Sequence, residues 1–138
     1  MRLVLDTDVI VAAMRSATGA SAELLLRIRR GRATMLATVP LFVEYEAVLS
    51  RPEHLLDAHV TRDDVGKFIT VLAALIEPVE PHFLWRPQLR DADDEMVLEA
   101  AVNGHAQAIV TFNQRDFRTV VDRFGVELLL PRDALRRI

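Results

Sequence analysis

Short apolar runs alternate along the chain with longer stretches whose apolar positions recur every three or four residues. The short runs are residues 2–5, 34–37, 76–79, 108–111 and 126–130. They are continuously apolar instead of alternating with polar residues, which is the pattern of strands covered on both faces. A helix-like segment follows Asp6. Residues 21–30 read as a helix that Ser21 can cap, with Leu24, Leu25 and Ile28 on its apolar face and Gly31 ending it. Pro40 opens a helix to about Ser50, with core stripe Leu41, Tyr45, Val48 and Leu49, and Arg51-Pro52 is read as its stop. Thr61 can cap residues 62–76, where Val65, Phe68, Ile69, Leu72 and Ile76 keep the helical period. Residues 80–90, with His82, Trp85 and Pro87, read as a loop. Asp91 starts a helix ending at Gly104, residues 115–124 form another ended by Gly125, and Pro131 follows the last strand.

This alternation predicts an α/β fold: a three-layer α/β/α sandwich around a mostly parallel sheet of four to five strands. The 138 residues predict one domain over 1–138, large enough for a sizeable core. There is no cysteine, which excludes disulfides and thiolate zinc sites and fits a reducing cytoplasm. No apolar run reaches membrane-span length, and Asp6 and Asp8 interrupt any N-terminal signal core. The net charge of −3 does not suggest a DNA-coating protein, but local charge decides phosphate contact. Lys67 is the only lysine against sixteen arginines. A GC-rich genome explains that bias as well as phosphate binding does.

The chemistry lies in acids far apart in sequence. Asp6 ends the apolar run Leu3-Val4-Leu5, and Asp94 closes Arg90-Asp91-Ala92-Asp93-Asp94 before a helical stretch. In a doubly covered parallel sheet both belong at the carboxyl edge of the strands, where such folds bind ligands. Each acid also has a structural alternative. Asp6 can simply begin a loop, and Asp8 can cap the next segment. Asp91 is the expected N-cap of its helix, which puts Asp94 in the first turn, where the helix dipole favours a carboxylate. Asp116 can cap a helix beginning at Phe117. Glu44 and Glu46 flank the two sides of one core stripe, and periodicity does not choose between them. Thr111 and Asn113 follow a strand and offer neutral oxygens. Three aspartates and Glu95 within one turn repel one another, and a cation would relieve this. The histidines (His54, His59, His82, His105) share no metal-ligand spacing. Carboxylates alone suit hard cations, Mg²⁺ or Mn²⁺. There is neither a glycine-rich phosphate loop nor a Gly-x-Ser-x-Gly elbow.

Taken in order, these segments resemble the PIN domain family, in particular the VapC-like PIN toxins of prokaryotic toxin–antitoxin systems. The first block is Leu3-Val4-Leu5-Asp6-Thr7-Asp8-Val9-Ile10, with Asp8 where asparagine is more usual. The second runs from Pro40 to Pro52 and includes Glu44-Tyr45, which selects Glu44 over Glu46. The third is Asp91 to Ala101, with Asp94 matching the catalytic acid. The fourth is Ala108-Ile109-Val110-Thr111-Phe112-Asn113 with Arg115-Asp116-Phe117. Asn113 stands where the family often has an aspartate, so Asp116 supplies the fourth acid or three acids suffice.

The resemblance implies an endoribonuclease in which Asp6, Glu44, Asp94 and Asp116 hold Mg²⁺ or Mn²⁺, with Thr111, Asn113, Asp91 and Asp8 supporting them. Water activated by the ion would cut the phosphodiester, leaving 5′-phosphate and 3′-hydroxyl ends. Arg15, Arg90 and Arg115 are candidates to hold the RNA backbone. The resemblance also implies a homodimer and a cognate antitoxin that silences the enzyme. Two other readings compete with it. A haloacid-dehalogenase-like phosphatase would use Asp6-Thr7-Asp8 and needs a phosphate-holding lysine, for which only Lys67 exists. A PIN fold with an incomplete acid set would serve as an RNA- or protein-binding module. Trp85 is expected to fill a gap in its loop more readily than to stack on a base.

Overall fold

The computed structural model describes residues 1–82 and 89–138, the side chain of Val120 excepted. Trp85 and Pro87 lie outside the described residues. The chain runs β1 (Arg2–Leu5), α1 (Thr7–Arg15), α2 (Ala20–Arg29), β2 (Thr34–Ala37), α3 (Val39–Leu49), α4 (Pro52–Ala58), α5 (Arg62–Leu75) and β3 (Ile76–Pro78). It continues with α6 (Ala92–Asn103), β4 (Ala108–Val110), α7 (Gln114–Phe124), β5 (Glu127–Leu129) and α8 (Pro131–Arg137). Among the described residues no single helix is long and apolar enough to cross a membrane.

The five strands form one parallel sheet in the order β3-β2-β1-β4-β5. Successive strand side chains point to opposite faces. Leu3, Val4 and Leu5 are all fully buried, as are Met35 and Leu36, and Ala108, Ile109 and Val110. Both faces are therefore covered, which makes the architecture the expected α/β sandwich. The order also locates the functional edge. From β1 the chain winds outward through β2 to β3, then returns to the other side of β1 for β4 and β5. The winding reverses between β1 and β4, and the crevice at their carboxyl ends is where open α/β sheets take ligands.

Local chemistry sets most element ends. Thr38 caps α3, its side chain accepting from the Leu41 amide, with Pro40 in the first turn. Thr61 and Asp64 form a reciprocal capping box on α5. Gly125 closes α7 with φ 67°, a left-handed conformation that suits glycine. At Gly104 a Cβ would lie 2.8 Å from the Ala100 carbonyl oxygen and 2.9 Å from Val79 Cγ2, so only glycine fits where α6 ends against the sheet.

Four local expectations need correction. Gly19, not Ser21, is the N-cap of α2, and Ser21 lies buried in the first turn. Pro52 does end α3, but it also opens α4, because proline at the first helical position gives up an N–H that has no partner there anyway. Pro131 opens α8 in the same way. Asn113, not Asp116, is the N-cap of α7.

Candidate active site at the carboxyl edge of the sheet

Asp6 is the first residue past β1, and three bonds hold it. Its amide donates to the Val110 carbonyl at 2.9 Å, extending the ladder to β4 by one rung. Its Oδ1 accepts from the Thr7 amide at 2.8 Å, which caps α1. Its Oδ2 accepts from the Thr111 hydroxyl at 2.7 Å. Capping α1 is thus done by Asp6 and not by Asp8. Asp6 is 8% exposed. Burial raises its pKa against the pull of Thr111 and Thr7, and the charges of Asp91 and Asp116 add to the rise.

Thr111, fully buried just beyond β4, joins two parts of the site. It donates to Asp6 and accepts from the Asn113 amide at 2.9 Å. The Asn113 side chain makes no capping bond and turns instead to Asp116, donating Nδ2 to Oδ2 at 2.5 Å. Asp8 lies on the other flank, its Oδ2 accepting from the Phe112 amide at 3.2 Å. Burial and the charge of Asp6 push Asp8 up to about 7.

Asp94 comes from α6. The Asp91 side chain accepts from the Asp93 amide at 2.8 Å and caps this helix as expected, so Asp94 falls in the first turn. There it is 7% exposed. Burial, then the charge of Asp6, then those of Asp91, Asp116 and Asp93 push it up to about 7. Asp6 and Asp94, 88 residues apart in sequence, thus lie within each other's electrostatic reach. Asp94, Asp91 and Asp116 share one open cleft with Arg90, Arg115 and Thr119.

Glu44 is half-buried while Glu46 is exposed, so the structure turns Glu44 inward. Burial raises its pKa, and the acids acting on it most are Asp93, which is also its hydrogen-bond partner, and Asp91; Arg51 pulls the other way. Glu44 therefore reaches the start of α6 at Asp93. Two contributors were not foreseen. Asp93 ties Glu44 to α6, and the only hint in the sequence was its place in the Asp91-Ala92-Asp93-Asp94 run. Tyr45 was read as core; it is fully buried, but its hydroxyl donates to the Leu5 carbonyl and so fixes α3 against the residue before Asp6. A polar tip in an apolar stripe was the available signal. Burial and the nearby Asp6 charge raise the Tyr45 pKa well above its ordinary value, so it stays a donor.

Among the described residues no three acids or imidazoles stand close enough to enclose a metal ion by themselves. The donor set still suits one. Asp6 and Asp94 are hard oxygen ligands whose mutual repulsion a cation would relieve, and Mg²⁺ ordinarily keeps several waters and takes only one or two carboxylates. Asp116 lines the same cleft and its charge reaches both Asp6 and Asp94, while Glu44 is linked to Asp93 and Asp91 at the start of α6. The phosphatase alternative finds no support here, since Lys67 is exposed on α5 and pairs with Asp63 at 3.2 Å.

Comparison with known proteins agrees with this geometry. No curated protein matches the sequence. A chain in the crystal structure of VapBC2 from Rickettsia felis, bound to a DNA fragment from their promoter, shares the fold. The TM-score is 0.62 at 13% identity, over 93% of this chain and 97% of that one. The PIN domain model matches residues 2–115, ending one residue short of Asp116, so any role for Asp116 rests on its position alone. With β1 through β4 and the acids Asp6, Glu44 and Asp94 all inside that match, the chain belongs to the PIN domain family.

Proposed function

We propose that this protein is a Mg²⁺- or Mn²⁺-dependent endoribonuclease, the toxin of a toxin–antitoxin pair, which hydrolyses RNA phosphodiester bonds. One observation carries the reading: two largely buried aspartates, Asp6 and Asp94, lie within electrostatic reach at the crevice where the sheet's winding reverses, and the charge of Asp6 raises the proton affinity of Asp94. A fold gains nothing from leaving such a pair unneutralised, and a divalent cation with a phosphate is the chemistry that uses it. PIN family membership and the VapBC2 fold likeness point the same way.

In this reading Asp6, Asp94, Asp116 and Glu44 would hold the ion, directly or through water. The bound ion supplies Lewis acidity and a water acidic enough to attack phosphorus. The Thr111 hydroxyl occupies one oxygen of Asp6 and so fixes how the carboxylate is presented. Asn113 does the same for Asp116. Asp91 caps α6 and sets Asp94 in place. Asp8, tied to the Phe112 amide, holds the opposite flank. Arg90 and Arg115 line the cleft and pair with substrate phosphates. A small antitoxin placing a basic side chain among the acids would mimic the cation. The working form is a cytoplasmic homodimer.

The test is digestion of a defined set of single-stranded RNAs with Mg²⁺, with Mn²⁺ and with chelator, using wild type and Asp94→Asn. Cleavage that needs the metal, leaves 5′-phosphate ends and falls by about a hundredfold or more in the variant supports the reading. An Asp94→Asn protein that cuts normally removes Asp94 from the chemistry. Tight RNA binding without cleavage would instead mark a binding module. The arrangement that favours this second reading is the acid set itself, which does not close around an ion among the described residues.

A further inference from the structure

A second cleft adjoins the acids and shares no lining residue with the first. Its walls are Asp8, Val11 and Arg15 of α1, Val48 of α3, and Phe112. Phe112 is 51% exposed and is the only aromatic among the large apolar side chains standing in solvent, among the described residues. Its backbone is nonetheless firmly held. The Phe112 amide donates to Asp8, and the residues on either side are joined by the bond from the Asn113 amide to the Thr111 hydroxyl. An aromatic ring on a fixed backbone, left in water beside Asp8, is a preorganised stacking surface.

The rest of the cleft matches one occupant. Val11 and Val48 are partly buried and give it an apolar floor. Arg15 supplies a cation whose present partner is Asp57, at 3.4 Å, with both side chains well exposed. Such a pair is weak and readily exchanged for a phosphate. A flat π-face, an apolar floor and an arginine in the cleft that Asp8 also lines together fit a nucleobase and its adjoining phosphate. Bases in a duplex are stacked on each other and cannot offer a free face, whereas those of a single strand can.

We propose that the cleft between Phe112 and Arg15 is a nucleotide subsite that stacks one base of single-stranded RNA on the Phe112 ring and pairs its phosphate with Arg15. The inference rests on the nuclease reading and extends it. The strand crosses the carboxyl edge of the sheet, from Arg15 and Phe112 on one side to Arg90 and Arg115 on the other. The protein then discriminates single-stranded from paired RNA at this position.

The experiment measures equilibrium binding of a short mixed-sequence single-stranded RNA, and of an abasic strand of equal length, to the non-cleaving Asp94→Asn protein. Phe112→Ala in that background is expected to weaken RNA binding about tenfold and leave abasic-strand binding unchanged, while Phe112→Trp retains RNA affinity. Arg15→Gln is expected to weaken both strands alike and to lower the salt dependence by about one phosphate contact. Phe112 is exposed, and equal melting temperatures would confirm that its variants fold. Unchanged RNA affinity in Phe112→Ala, or equal losses on RNA and abasic strand, overturns the subsite. If wild-type protein cleaves RNA in that case, the nuclease reading survives. A wild type that neither binds nor cleaves RNA overturns both.

Discussion

The Thr111 hydroxyl donates to Asp6 Oδ2 across 2.7 Å, joining the residues that follow the two strands flanking the reversal of the sheet. The bond spans 105 residues of sequence. It sets the rotation of the one acid that also caps α1 and continues the ladder to β4. The other acids are set by contacts of their own: Asp8 by the Phe112 amide, Asp116 by Asn113 and Asp94 by the start of α6.

Thr111→Val keeps the shape and removes the donor. It leaves a buried carboxylate oxygen without a partner, at a cost of about 1–3 kcal/mol. Urea midpoints should fall accordingly, and metal affinity should fall with them because Asp6 is no longer oriented. Thr111→Ser, which restores the hydroxyl, should recover most of both. A Thr111→Val protein with wild-type stability and metal affinity would show that the bond positions nothing.

The acids Asp8 and Asp94 make stability depend on pH. Asp8 and Asp94 are each pushed up from the ordinary 3.8 to about 7. Between those values the folded chain holds more protons than the unfolded one, so stability falls as pH rises from about 4 to about 7 and levels off above. Asp64 and Glu127, whose pKa values are lowered by Thr61 and Arg137 respectively, act oppositely and only in acid, where their contribution is lost as pH falls. The clean measurement is a difference. In chelator, Asp94→Asn should lose less stability than wild type between pH 5 and pH 8, and it should match or exceed wild type at pH 8.

Divalent cation should reverse that trend. An ion bound only by the folded state adds about 2.7 kcal/mol at a hundred times its dissociation constant. Melting temperature should rise with Mn²⁺ at pH 8, rise less at pH 5 where protons compete for Asp94, and barely change in Asp94→Asn. Equal rises in the variant and wild type would mean that the ion binds elsewhere.

Tyr45→Phe removes the hydroxyl that meets the Leu5 carbonyl in the core. The expected loss is about 1–2 kcal/mol, from one buried carbonyl left unpaired. Because Glu44 is the preceding residue on the same helix, any cleavage activity should fall by more than the loss of stability explains. Activity measured well below the melting temperature separates the two effects.

The sequence by itself determined the secondary elements that a local pattern can specify. The five short apolar runs became the five parallel strands; β1, β2 and β4 in the middle of the sheet are largely buried on both faces and leave little room for polar residues, while the edge strands β3 and β5 carry exposed Glu77 and Glu127. Thr61 and Asp91 became caps because their side chains meet amides two or three residues on, a contact that needs no tertiary partner. Asp6 could be singled out because an acid at the end of an apolar run is locally conspicuous, and Asp94 because it closes a dense acidic run just before a helical stretch. Where two outcomes share one local signal, the sequence left the choice open. Pro52 both ends α3 and begins α4, and the cap expected at Asp116 is at Asn113 instead.

Only the tertiary structure decided which oxygens meet. The order β3-β2-β1-β4-β5 brings residues after β1 and β4 side by side, and no spacing in the chain encodes that neighbour relation. The bond from Thr111 to Asp6 follows from it, while the reach of Glu44 to Asp93 and the Tyr45 hydroxyl on Leu5 follow from how α3 packs against α6 and β1. The physical reason is the range of the forces involved. Capping and periodicity act within a turn or two of chain, whereas burial and charge repulsion depend on distance through space, which the packed sheet alone sets.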